Sequence, residues 1–153
     1  MKTSIFIVIG IFVFIGLVFF YNSNLSSPPI QTYLVGNVVM KGKTFSVEIS
    51  DTDRLRTLGL SGHAQLKDDE GMFFIFPKSG IYGFWMKDML FPIDIIWVDE
   101  NFKIIHIEKS ISPDTYPKVF LPESPSKYVL EVLAGETLKV DLKIGDKINF
   151  LQK

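Results

Sequence analysis

The chain has 153 residues and no cysteine, sets 16 Lys and Arg against 17 Asp and Glu, and is 47% hydrophobic. That length holds one ordinary domain, and so balanced a charge lacks the basic stripe with which a nucleic-acid binder neutralises phosphates. Without cysteine there is no disulfide framework, thiolate zinc site, iron–sulfur cluster or cysteine nucleophile.

The apolar residues concentrate at the amino end. From Ile5 to Tyr21 every residue is aliphatic, aromatic or glycine, and no charge occurs between Lys2 and Lys41. A helix rises about 1.5 Å per residue, so this run with its neutral flanks spans roughly a bilayer core. It predicts a transmembrane anchor over residues 5–21, with residues 1–4 as a short cytoplasmic tail. The competing reading is a cleaved signal peptide, which would leave the domain secreted. Against cleavage, the run is long, Phe19, Phe20 and Tyr21 close it, and no clean small-residue site follows. Lys2 on the short flank keeps that end inside, so both readings export the remainder. Residues 22–35, with Ser23, Ser26, Ser27, Pro28 and Pro29, read as a linker.

Residues 36–151 read as a mainly β domain. Phe45, Val47 and Ile49 alternate with Thr44, Ser46 and Glu48, the period of a half-buried strand. Val38 to Met40 is its hairpin partner across Lys41-Gly42-Lys43. Asp51 or Thr52 caps a short helix over Asp53 to Leu60. Further strands are expected over Met72 to Phe76 (stopped by Pro77), Ile81 to Met89, Ile93 to Val98, Phe102 to Glu108, Lys127 to Leu133 and Lys147 to Leu151. Four prolines between Ser112 and Ser126 mark a long irregular loop. Many short strands with turn signals predict a compact jelly-roll-like sandwich or small barrel with one short helix.

Three stretches are distinctive: Gly71-Met72-Phe73-Phe74-Ile75-Phe76-Pro77, Phe84-Trp85-Met86-Lys87-Asp88-Met89, and Pro92-Ile93-Asp94-Ile95-Ile96-Trp97-Val98. With Arg56 to Leu60 before them and Tyr128 to Gly135 after, they closely resemble the domain of unknown function 192 family. The resemblance covers about Gly36 to Leu151. It implies a compact β domain like a jelly roll or barrel, and it implies no reaction. Two positions depart from the family pattern. Asp88 stands where Asn is usual, and Gly59-Leu60-Ser61-Gly62-His63 replaces Gly-Leu-Met-x-Arg. If the usual Asn and Arg work in a site, Asp88 and His63 change its charge.

The site candidates follow from residue chemistry. On a strand, Trp85 and Lys87 share a face, and an aromatic plane beside a cation suits a small-molecule or sugar-stacking site. The plainer reading makes Trp85 core and Lys87 a snorkelling surface residue. Asp94 sits in an apolar strand, where a carboxylate either faces a polar pocket or must be satisfied by Lys87, Arg56 or backbone N–H groups. Glu131 within Val129-Leu130-Glu131-Val132-Leu133 poses the same problem. Asp88, Asp94 and Glu131 could converge for acid/base work on a glycoside. With His63 or His106 they could hold a divalent cation, but no metal-ligand spacing is present, and no metal or cofactor is expected. His106 reads as a structural histidine.

The expectation from sequence is a membrane-anchored extracytoplasmic binding module. Its ligand would be a saccharide or other small molecule, or an envelope protein, with no nucleic-acid partner. Trp85, Lys87, Asp88, Asp94, Glu131, Arg56 and His63 are the candidate contacts. The alternative is a cell-envelope hydrolase using Asp94 and Glu131.

Overall fold

The computed structural model of the chain describes residues 33–152. Among them no helix is long and apolar enough to cross a membrane, and the anchor expected over residues 5–21 lies outside them. Seven strands form a single sheet: β1 (Leu34–Met40), β2 (Lys43–Ser50), β3 (Glu70–Gly80), β4 (Ile93–Val98), β5 (Ile104–Ile111), β6 (Ser126–Leu133) and β7 (Ile148–Gln152). Their order is β5-β4-β6-β3-β2-β1-β7, antiparallel except for β2 with β3.

Local chemistry explains the elements. Lys41 and Gly42 both take positive φ, the turn geometry that matches the twist of a two-residue hairpin, and so fix the β1–β2 register. A parallel β2–β3 pair needs a crossover, which contains helix α1 (Asp53–Leu58). The Thr52 hydroxyl caps α1 by accepting from the Leu55 N–H. Gly71 in β3 permits a close approach, since a Cβ there would stand 2.5 Å from the Glu131 carbonyl oxygen of β6.

The sheet is curled into a half-barrel rather than folded into a two-layer jelly roll. A bridge between Lys103 and Lys147, with the Ile148 N–H donating to Phe102 O at 3.0 Å, brings the β4–β5 turn against β7. The inner face gathers Val38, Phe45, Phe73, Ile96, Val98 and Leu130. The outer face of β3, β4 and β6 carries Met72, Phe74, Ile95, Trp97 and Val129. Both faces of these central strands are covered, which is why β4 reads as an unbroken buried run, Ile93 to Val98.

Three expectations need correction. Residues 81–89 form no strand; they make one isolated bridge, Phe84 with Phe120, and drape over the outer face. Their alternation is real, with Phe84 and Met86 buried and Trp85 and Lys87 exposed, but it comes from covering the sheet rather than from joining it. Next, β3 continues past Pro77 to Gly80, because the register with β6 shifts between Ile75 and Gly80 where proline has no N–H to give. Finally, a second helix, α2 (Glu136–Lys139), was not expected. Its cap residue Gly135 offers no side chain, so the local sequence carries no start signal.

Candidate functional site

The draped segment 81–89 and helix α1 leave a groove between them. Its inner part is a cleft of about 530 Å³ reaching Phe76, Tyr82, Phe84 and Glu131. Its outer part, about 560 Å³, is bounded by Arg54, Lys87 and Asp88. Asp53, Thr57, Leu58, Ser61 and Trp85 line both, so the two parts adjoin.

Trp85 stands at the mouth and is 48% exposed, so it is not core. The buried tryptophan is Trp97, whose indole N–H donates to Tyr82 O at 2.9 Å and ties the draped segment to β4. Tyr82 in turn stacks on Phe76 with ring centroids 3.6 Å apart, forming one aromatic wall. Gly83 lets the neighbouring loop close on this segment, since a Cβ there would meet the Val119 and Leu121 side chains at 2.6 and 3.0 Å.

Glu131 lines the inner cleft and is only 4% exposed. It pairs across the sheet with Met72 and Ile95, both buried on the outer face. Among the described residues its carboxyl makes no hydrogen bond, and burial pushes its pKa up to about 8, against a smaller lowering by His63. Burial thus favours the protonated acid at neutral pH, a form able to donate.

Asp94 is fully buried but lies on the other face of the sheet, opposite Val132 rather than Glu131. Its carboxylate accepts from Ser110 N at 2.7 Å, Gly135 N at 3.1 and 3.2 Å, Thr137 N at 2.9 Å and Thr137 Oγ1 at 2.7 Å. It meets neither Lys87 nor Arg56. It pins the β4–β5 bulge and supplies from a distance the cap that α2 lacks.

Arg56 borders the inner cleft with its guanidinium already engaged. It donates to Asp51 O at 2.5 Å, Ile75 O at 2.7 Å and Asp53 Oδ1 at 2.6 Å, and covers the Phe76 ring. His63 lines neither part of the groove; the Glu48 carboxylate, 3.2 Å from Nε2, raises its pKa. Asp88 has a φ of +56°, a region that Asn and Asp enter more readily than other side chains. Backbone geometry therefore explains either residue at that position.

The groove thus gathers Trp85, Lys87, Asp88, Glu131 and Arg56 and leaves out Asp94 and His63. Pairing of Asp94 with Glu131 for glycoside chemistry does not occur, because the sheet separates them. Sequence reasoning missed Tyr82, Phe76, Thr57 and Ser61. Only the aromatic density near Phe84 hinted at the first two.

Residues 36–150 match the family model for domain of unknown function 192, described as an uncharacterized ACR. A UPF0127 protein of Pyrococcus horikoshii is 28% identical over 109 residues, covering 68% of this chain and 86% of its own. Two crystal structures share the fold. One is a Sinorhizobium meliloti protein provisionally described as a transcription regulator (TM-score 0.73, 26% identity, covering 78% of this chain and 96% of that one). The other is a Novosphingobium aromaticivorans protein of unknown function (TM-score 0.71, 26% identity, covering 81% and 91%).

Proposed function

This chain belongs to the domain of unknown function 192 family, and on that premise we propose that it is an extracytoplasmic binding module that takes a small molecule in the α1 groove. Its N-terminal run, Ile5 to Tyr21, would hold it to the membrane. The family is of uncharacterised function, so the reading rests on the groove.

The observation that carries it is the pairing of a half-exposed Trp85 at the mouth with a buried, unpartnered Glu131 at the floor. A stable domain gains little by exposing the one or burying the other. Together they offer a ring face for the body of a ligand and a polar group to orient it. Hydroxyls of Thr57 and Ser61 on the wall suit a saccharide or another hydroxylated compound. At the rim Arg54 and Lys87 are balanced by Asp53 and Asp88, which disfavours a nucleic-acid strand.

A second reading, an envelope protein as partner, is supported by the apolar residues around Gly83. Ile81, Val119 and Leu121 are 50%, 45% and 53% exposed.

A thermal-shift screen of the full chain in detergent, with saccharides and small polar molecules, tests the first reading. A bound compound should raise Tm by about 2–5 °C, and the rise should vanish in Trp85→Ala. If no compound in a broad panel moves Tm, the small-molecule reading falls and the protein partner takes its place. A reporter enzyme that works only outside the cytoplasm, fused after Lys153, tests the exported topology.

A further inference from the structure

We infer that the ligand of the groove carries a positive charge: an organic ammonium group set against Glu131, with its apolar body against Trp85. This rests on the small-molecule reading above and names the class of ligand.

Among the described residues the groove's buried floor presents one carboxyl, Glu131, and the histidine whose charge reaches it, His63, is held by Glu48. Arg56, the only Lys or Arg among the described residues that line the inner cleft, is engaged by two backbone carbonyls and Asp53. Lys87 and Arg54 line only the outer part. An anionic ligand would therefore meet a carboxyl at the floor and find no counter-charge there.

Ligand hydroxyls, which Thr57 and Ser61 suit, do not by themselves call for a carboxyl at position 131. Gln at position 131 would provide a donor and an acceptor with no ionisable group to desolvate. What a carboxyl has and an amide lacks is a proton it can give up to become an anion. The cost of burying it among Met72, Ile95 and Phe84 is offset when the ligand brings the opposite charge. The wall fits as well, since Trp85 and Tyr82 place aromatic rings on an approaching cation.

Binding would be coupled to a proton. Burial favours the protonated carboxyl at neutral pH; an ammonium ion favours the carboxylate, and the proton leaves to solvent. The neighbours of Glu131 leave it as the group that titrates. β3 and β4 present Met72 and Ile95, α1 presents Asp53 and the engaged Arg56, and the draped segment presents Tyr82. His63, in the turn after α1, is held by Glu48.

Three probes of one shape and different charge decide the matter: phenethylammonium, 2-phenylethanol and phenylacetate, titrated calorimetrically into the full chain in detergent. The ammonium should bind at least about tenfold tighter than the alcohol, with phenylacetate weakest. Its affinity should rise about tenfold per pH unit from about pH 6, level off near 8, and release close to one proton in buffers of different ionisation enthalpy. Glu131→Gln, with its fold checked by its own Tm, should erase the preference and the pH dependence together. His63→Gln should leave both. Trp85→Ala should weaken all three probes alike. Equal or tighter binding of the alcohol or the acid would overturn the inference and leave the small-molecule reading standing. Binding of none of the three at about 10 mM overturns the inference too, and the broad screen then decides the reading beneath it.

Discussion

Two carboxyls, one on each face of the same sheet, are equally hidden and physically opposite. Asp94 takes its place on the inner face among four donors, the N–H groups of Ser110, Gly135 and Thr137 and the Thr137 hydroxyl, of which the two on Thr137 are fully buried. Glu131, one register position along on β6, faces the outer groove and meets no hydrogen-bonding partner among the described residues. A third, Glu136, is fully buried but ion-paired to Lys43 and Lys139. Burial therefore does not mark a site; a carboxyl that lines the floor of a cleft with no protein partner does.

The contrast is broken most directly at Asp94. Asp94→Ala strands the N–H groups of Ser110, Gly135 and Thr137 and should cost about 3–5 kcal/mol in urea unfolding. Asp94→Asn, which keeps one acceptor and turns an NH₂ toward donors, should cost about 2 kcal/mol or more. An Asp94→Ala loss below about 1 kcal/mol would mean the carboxylate is not structural.

Glu131 should behave in reverse. Its pKa is near 8 in the folded chain against an ordinary 4.5 when unfolded. Between those values the unfolded state has released its proton and the folded state still holds it. Stability therefore falls as pH rises, by up to about 1.4 kcal/mol per unit, with the penalty absent below about 4.5 and constant above about 8. Glu131→Met should remove that slope and stabilise the protein by about 1–4 kcal/mol at pH 8. Urea melts at about pH 5 and 8 measure it; a variant less stable than the parent at the higher pH would sink this account.

How much of this was legible in sequence depended on whether the signal was local. The β1–β2 hairpin, the Thr52 cap and the buried β4 run each carry their cause within a few residues. Segment 81–89 misled because alternation records which side chains are buried, and a chain laid over a sheet alternates as a strand does. Helix α2 was invisible because its cap arrives from Asp94, 43 residues away in Thr137's case. The fates of Asp94 and Glu131 diverged on a single register step, Asp94 with Val132 and Ile95 with Glu131. Each sits in an apolar run, and nothing within either run encodes that pairing.

Smaller effects sharpen the comparison at the groove's wall. Arg56 bridges α1 to β3 through the Ile75 carbonyl while covering Phe76. Lysine cannot reproduce that forked contact, so Arg56→Lys should cost about 2 kcal/mol of stability. It should also loosen α1, read as faster amide exchange over residues 53–58.

The smallest expected effect on stability is the most telling. Trp85 is half exposed, so its loss removes only part of a large ring from cover, and Trp85→Ala should lower unfolding free energy by about 1–2 kcal/mol. It leaves Phe84 and Met86, the buried residues on either side, to hold the draped segment in place. Thermal unfolding of the variant checks the first statement, and ligand titration beside it checks the second, that binding weakens at least about tenfold. A large stability loss would make Trp85 a covering residue like its neighbours. A small loss with intact binding would remove it from the site and leave Glu131 without its companion. The opposite pattern to Asp94, binding lost and stability largely kept, is what separates a residue presented to a ligand from one enclosed by the fold.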